Sequence, residues 1–232
     1  YVVRDAAYDM KSLQRSSRQK VQYGLKRCSL RRIEKDELLA QGMALNESTM
    51  LRQGRRDPEF VEPGRWKRLV EAVYEVPAIE AVGAFIDGRL AAYLIACHED
   101  GWVHVLYRMS NADDWAECPN HALDFWFTHE SIRRPNVEAV SMGWMSTLEL
   151  QGLHDYKVRL GYEVLPHNCV IQLHPAIAPL LTNRASVRFA GTIQRVYQKN
   201  QTLALIAKVV EGARVTRLGD SGLIRKDANG QS

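Results

Sequence analysis

No run of about eighteen apolar residues occurs anywhere in the chain, which argues against a hydrophobic helix crossing a bilayer. Paired cysteine spacings are missing too. Cys28, Cys97, Cys118 and Cys169 stand far apart with no C-x-x-C, so neither a zinc knuckle nor a dithiol redox centre is indicated. Free thiols in a reducing, cytoplasmic setting are expected instead. The start at Tyr1 has no apolar core behind it, so no signal peptide is expected; without an initiator Met, residues are expected to precede it. Acidic residues are absent from positions 11–32, where Lys11, Arg15, Arg18, Lys20, Lys26, Arg27, Arg31 and Arg32 stand together. There is no internal repeat and no low-complexity tract.

What is present is a globular composition. Hydrophobic residues make up 46% and charged residues 25% of the 232 positions, enough apolar surface to exclude a disordered chain. The net charge is only +4, so the placing of charge matters more than its sum. Ser12 and the thin stripe of Leu13, Val21 and Leu25 predict a helix over 13–26, and alternation over 28–33 predicts a strand. Leu38, Leu39, Met43 and Leu51 predict a helix over 34–52. Residues 54–64 read as a loop, and 65–74 as a short helix halted before Pro77. Apolar runs at 81–86, 90–97 and 102–109 are separated by Asp87-Gly88 and Asp100-Gly101, which predicts a three-stranded antiparallel meander. A helix over 121–132, a buried strand over 137–142 and a helix over 153–160 closed by Gly161 follow. Strand at 164 and 169–173, helix onward through 210 and a polar tail at 226–232 complete the reading. This order predicts an α/β fold: a mixed central sheet containing the meander, with helices on both faces. Residues 1–182 are expected to form one domain that includes the basic helix at 11–27, and 183–232 a helical extension with a polar tail.

This order resembles the GNAT superfamily of acyltransferases, and three local patterns carry the resemblance. Tyr156-Lys157-Val158-Arg159-Leu160-Gly161-Tyr162 is similar to the late GNAT helix that ends in glycine and an aromatic. Many GNAT enzymes place a tyrosine four residues before that glycine, where it protonates a leaving thiolate; here the position is Lys157. An aromatic followed by lysine, together with Arg15-Ser16-Ser17-Arg18-Gln19-Lys20, resembles the Fem-type aminoacyltransferase branch. Pro119-Asn120-His121-Ala122-Leu123 at a helix start adds a third point. The resemblance covers about residues 11–173. One departure is plain. The family's glycine-bearing loop after the fourth strand, whose backbone N–H groups hold a diphosphate, is matched here by Arg108-Met109-Ser110-Asn111-Ala112-Asp113-Asp114, with no glycine and two carboxylates.

The resemblance implies an N-acyltransferase that moves an acyl group from a thioester, acyl-CoA or acyl carrier protein, to an amine. The rivals are a Fem-type transferase using aminoacyl-tRNA and a non-catalytic binding domain on the same fold. Lys157 is the candidate for stabilising developing charge or holding a donor phosphate; otherwise it is a solvated helix lysine. His104, mid-strand and on the face of Trp102, Leu106 and Arg108 by the two-residue period, is a candidate general base or a core histidine. Arg108, Ser110 and Asn120 are candidates for donor binding. Ser141, Trp144 and Tyr156 are candidates for an acceptor pocket, against ordinary packing roles, and Ser146 lies beside them. Cys118 at a helix start has no third partner for nucleophilic catalysis. His98 and His104 on neighbouring strands do not make a metal site. The basic helix could meet a polyanion, an acyl carrier protein or tRNA, over 11–32, and the apolar stretch 203–210 could pair two copies into a homodimer.

Overall fold

The computed structural model describes residues 1–143 and 151–165 and, further on, 173, 174, 176–179, 183, 186, 188, 192, 209 and 210. Contacts divide the chain into two compact units, Tyr1–Trp144 with Gln151–Leu165, and Met145–Leu150 with Pro166–Ser232. In the second, the Asn183 side chain accepts from the Ser186 amide at 2.8 Å. Trp144, Ser146, residues 169–172, almost all of 203–210 and the tail lie outside the described residues. The domain boundary expected between 182 and 183 falls where only scattered residues are described.

The first unit is an α/β structure on a six-stranded sheet: β1 (Val2–Val3), β2 (Ser29–Arg32), β3 (Ile79–Ile86), β4 (Arg89–Glu99), β5 (Trp102–Ser110) and β6 (Ala139–Ser141), in the order β1-β6-β5-β4-β3-β2. All pairs are antiparallel except β5 with β6. The helices are α1 (Arg15–Arg27), α2 (Lys35–Gln53), α3 (Pro58–Val61), α4 (Pro63–Glu75), α5 (Pro119–Ser131) and α6 (Gln151–Arg159). The meander forms where it was expected. Both Asp-Gly pairs turn with positive φ at each residue, 50° and 79° at Asp87-Gly88 and 46° and 79° at Asp100-Gly101, the geometry a tight right-twisting hairpin requires.

Two cores sit on opposite faces of the sheet. One joins Val82, Ala84, Leu94 and Val103 to Val21, Leu123 and Phe127. The other joins Phe85, Tyr93, Ile95 and Met109 to Leu38, Trp66 and Val70. Helix α2 starts on a Glu34–Glu37 capping box and stops at Gly54. The stretch expected as loop at 54–64 holds α3, capped by Asp57, and Pro63 opens α4 two residues early. Strand β1 escaped the sequence reading, because two residues carry no periodicity. It pairs with β6, and Val2 also bridges Glu163. Among the described residues no helix is long and apolar enough to cross a membrane.

Candidate functional site

Strands β5 and β6 pair only from Trp102–Ala139 to His104–Ser141. β5 then runs on to Ser110, while the pairing with β6 ends among the described residues. Leu106 is an extra residue in β5: Ala96 faces Val105 and Ile95 faces Tyr107, with nothing opposite Leu106. Such a bulge inverts the alternation of the strand. Before it, Val103 faces α1 and α5; after it, Met109 faces α2 and α4. Arg108, opposite Leu94, and Ser110, opposite Ala92, therefore turn toward α5.

That turn assembles a buried polar cluster. The Arg108 guanidinium pairs with Asp124 of α5, and the Tyr156 hydroxyl of α6 donates to the same carboxylate oxygen, Oδ2, at 2.5 Å. Arg108 lies over the Tyr156 ring at 4.9 Å, and His121 meets that ring edge-on at 5.0 Å. Asp124 is 0% exposed, and its other oxygen, Oδ1, has no hydrogen-bond partner among the described residues. One turn earlier, Asn120 donates to Ser110 Oγ at 3.0 Å, and its buried Oδ1 is likewise unpartnered. Tyr162 and Thr128 share a hydrogen bond alongside. Lys157, only 6% exposed, donates from Nζ to the Met142 carbonyl at 2.6 Å, just past the end of β6, and sits over the Tyr1 ring at 4.4 Å.

Burial sets the protonation of these groups. It lowers Lys157 to about 8, with the neighbouring Arg108 charge pushing the same way. It lowers His121 to about 4, so the imidazole is neutral at pH 7. Tyr156 is held well above the ordinary phenol range, first by burial and then by the Asp124 charge. Burial alone would lower Arg108, but Asp124 outweighs it and keeps the guanidinium charged. Lys157 is thus the member of the cluster that exchanges a proton near neutrality. Cys118 goes the other way: burial raises its thiol, so the helix start does not hold a thiolate.

Five residues singled out from sequence meet here: Lys157, Tyr156, Arg108, Ser110 and Asn120. His104 does not join them. The Leu106 bulge breaks the two-residue period that put it on the face of Arg108, and it lies on the opposite face, stacked on Trp102 at 5.7 Å. Ser141 pairs with His104 and follows Val140 of the α5-side core, so it too faces away. His98 and His104, six residues apart along the β4–β5 hairpin, also point to opposite faces. Sequence reasoning missed Asp124. Its signal was a lone carboxylate inside Leu123-Asp124-Phe125-Trp126-Phe127, an acid in an apolar run that demands a partner. The Met142 carbonyl left no signal, being backbone.

The loop expected to hold a diphosphate is wound into a 3₁₀ turn over Ala112–Glu117. Asp114 is buried and held by both Arg89 terminal nitrogens at 2.6 and 2.8 Å, so one of the two carboxylates is neutralised. Pro119 removes an N–H from the first turn of α5, and no side chain caps that turn. Gly24 of α1 packs on it so closely that a Cβ would fall 2.6 Å from the Cys118 carbonyl oxygen. A glycine-rich backbone cradle for the diphosphate of coenzyme A is therefore not built here.

No family model matches the chain, and no curated protein matches it by sequence. Among solved structures, the chain is similar to FemX, with a TM-score of 0.57 and 15% identity, over 69% of this chain and 57% of that one. The chain thus spans little more than half the length of that relative. A transcriptional regulator from Bacillus halodurans C-125 (TM-score 0.48, 12% identity, 63% and 99% covered) and a possible acetyltransferase from Clostridium difficile 630 (TM-score 0.48, 9% identity, 64% and 99% covered) are more distant and add nothing to the assignment. The likeness to FemX establishes the fold, a GNAT-like mixed sheet, and the fold alone.

Proposed function

We propose that the chain is an N-acyltransferase that moves an acyl group from a thioester to an amine. The observation that carries this reading is Lys157, buried where β5 and β6 part company and seated on the Met142 carbonyl beside the Arg108–Asp124–Tyr156 cluster. In the transfer, a bond forms between the amine nitrogen and the acyl carbon, the amine loses a proton, and the bond from that carbon to sulfur breaks. The developing oxyanion needs a fixed positive charge and the departing thiolate needs a proton. Protonated Lys157 supplies both from one atom, Nζ, and the proton that the amine gives up, passed through solvent, restores its charge. Tyr156 fixes Asp124, and Asp124 fixes Arg108, so the cluster keeps α5 and α6 in register around that lysine. The donor is carried as acyl-CoA or on an acyl carrier protein, and the acceptor is an amine.

The test is turnover of acetyl and longer acyl thioesters with a panel of amines, beside calorimetric titration with the matching acyl-CoAs. Lys157→Met should lower kcat by about a hundredfold while KM for the donor changes little, and the folded chain should survive. Full turnover in Lys157→Met would remove the lysine from the mechanism. No turnover with any thioester would move the reading to aminoacyl-tRNA or to a non-catalytic domain.

A further inference from the structure

We infer that the exposed face of α1 docks an acidic acyl carrier protein, which delivers the thioester to the site beside the first turn of α5. The inference rests on the transfer reading above for its purpose, and on α1 itself for its evidence. Of the eight cations between positions 11 and 32, three are neutralised by acids brought from elsewhere. Arg27 meets Glu117 at 2.7 Å, Arg31 meets Glu37 at 2.7 Å and Arg32 meets Glu80 at 3.1 Å. Arg18 is turned back onto the carbonyls of Lys11 and Leu13. Lys11, Arg15, Lys20 and Lys26 remain, all exposed and none in an ion pair among the described residues.

The first turn of α1 is built against the helix's own stability. Gln14 gives it no side-chain cap, it holds no acid, and Arg15 and Arg18 stand at the end where the helix dipole favours negative charge. Arg18 is compensated by its two carbonyls, but Arg15 has no such partner among the described residues, and a local rule broken without a gain in the fold points to a surface kept for binding. Gly24 seats the helix on the first turn of α5, and Lys20 lies near enough to His121 to help hold it neutral. Lys20, at the edge of the cationic face, therefore borders the cluster around Asp124, while Arg15 and Lys26 face outward on the same helix. From Arg15 to Lys26 the face extends about 17 Å, a match for three turns of an acidic helix. A nucleic acid fits less well. Tyr23 is the one aromatic on α1, too few for the succession of stacking platforms that a single strand uses. A carrier also presents its pantetheine arm without a nucleotide, which suits a site with no glycine cradle for the diphosphate.

The experiment compares one acyl group on two donors, an acidic acyl carrier protein and the small N-acetylcysteamine thioester. Arg15→Glu with Lys26→Glu should cut kcat/KM for the carrier-bound donor by about tenfold or more, mainly through association, and flatten its salt dependence. The small donor should be used as before, and Arg15→Lys should keep carrier activity. Unchanged carrier kinetics in the doubly reversed chain, or tighter binding of tRNA than of the carrier at equal salt, would overturn the docking. Charge-dependent carrier binding with no turnover of either donor would support the docking and remove the transfer reading. Turnover of the small donor with no effect of the reversal would do the opposite.

Discussion

Three carboxylates are buried among the described residues, Glu80, Asp114 and Asp124, and the first and last are treated differently. Glu80, 7% exposed, has both oxygens occupied: Arg134 and His98 meet Oε1, and Arg32 meets Oε2. Burial alone would raise its carboxyl, but the hydrogen bonds from Arg134 and His98 hold it below the usual range. It ties the start of β3 and the end of β4 to the turn after α5. Asp124 is more deeply buried, yet one of its oxygens takes both Arg108 and Tyr156 while the other takes nothing among the described residues. A buried acceptor without a donor costs free energy. A complete arrangement is what a fold needs for rigidity; an incomplete one is where a reacting group can still find a partner. The contrast sets a fully satisfied acid against one with an acceptor still open beside the lysine of the proposed transfer.

The strongest way to break that contrast is to remove Asp124. Asp124→Ala leaves the Arg108 guanidinium uncompensated beside α5 and should cost about 3–5 kcal/mol in urea denaturation. Asp124→Asn keeps the shape and should recover much of that stability while transfer stays impaired, because Arg108 and Tyr156 lose the charge that orders them. Equal recovery of stability and turnover would make Asp124 merely structural. Glu80→Gln comes next, with a loss of about 1–2 kcal/mol and unchanged turnover per folded molecule. A fall in kcat larger than the fall in folded fraction would erase the distinction between the two acids.

The smallest effects concern pH, and they sharpen the comparison. Lys157 has a folded pKa of about 8, below its ordinary 10.5. Between these values the unfolded chain binds more protons, so this lysine makes stability rise with pH. A step that needs its charge weakens over the same interval, so kcat should fall above about pH 8 while the fold holds. Lys157→Met should abolish that limb of the profile. His121, at about 4 in the fold against 6.5 outside it, contributes stability that is present above 6.5 and lost as pH falls toward 4. An activity profile that followed stability on the alkaline side would count against a charged Lys157.

Much of the architecture was legible because it rests on local chemistry. The Asp-Gly pairs specify their turns, the apolar runs between them specify strands, and Gly161 marks the end of α6 with φ +84°. Part of the candidate site was legible by resemblance, which singled out Lys157 and Asn120, and by position at the end of a strand, which singled out Arg108 and Ser110. What stayed hidden depended on facts that side-chain types do not encode. His104 was assigned to the wrong face because one bulged residue is invisible to a period-two count. The partner of Lys157 is a carbonyl fifteen residues away. Three of the eight cations at 11–32 looked uncompensated only because Glu37, Glu80 and Glu117 lie outside that stretch in sequence.

Leu106 gives β5 a phase. Up to Val105 the strand obeys one alternation and serves the two cores; from Tyr107 it obeys the other, and a guanidinium and a hydroxyl reach the space beside α5. Deleting this one residue would close the bulge and leave the contents of the two chambers as they are, because Val105 would still face Ala96 and Tyr107 would still face Ile95. No loop would change length and no turn would be rebuilt. The groups around the acid are thus set by the pairing with β4, and the bulge lets the strand carry one residue more or less at position 106 while the site stays as it was.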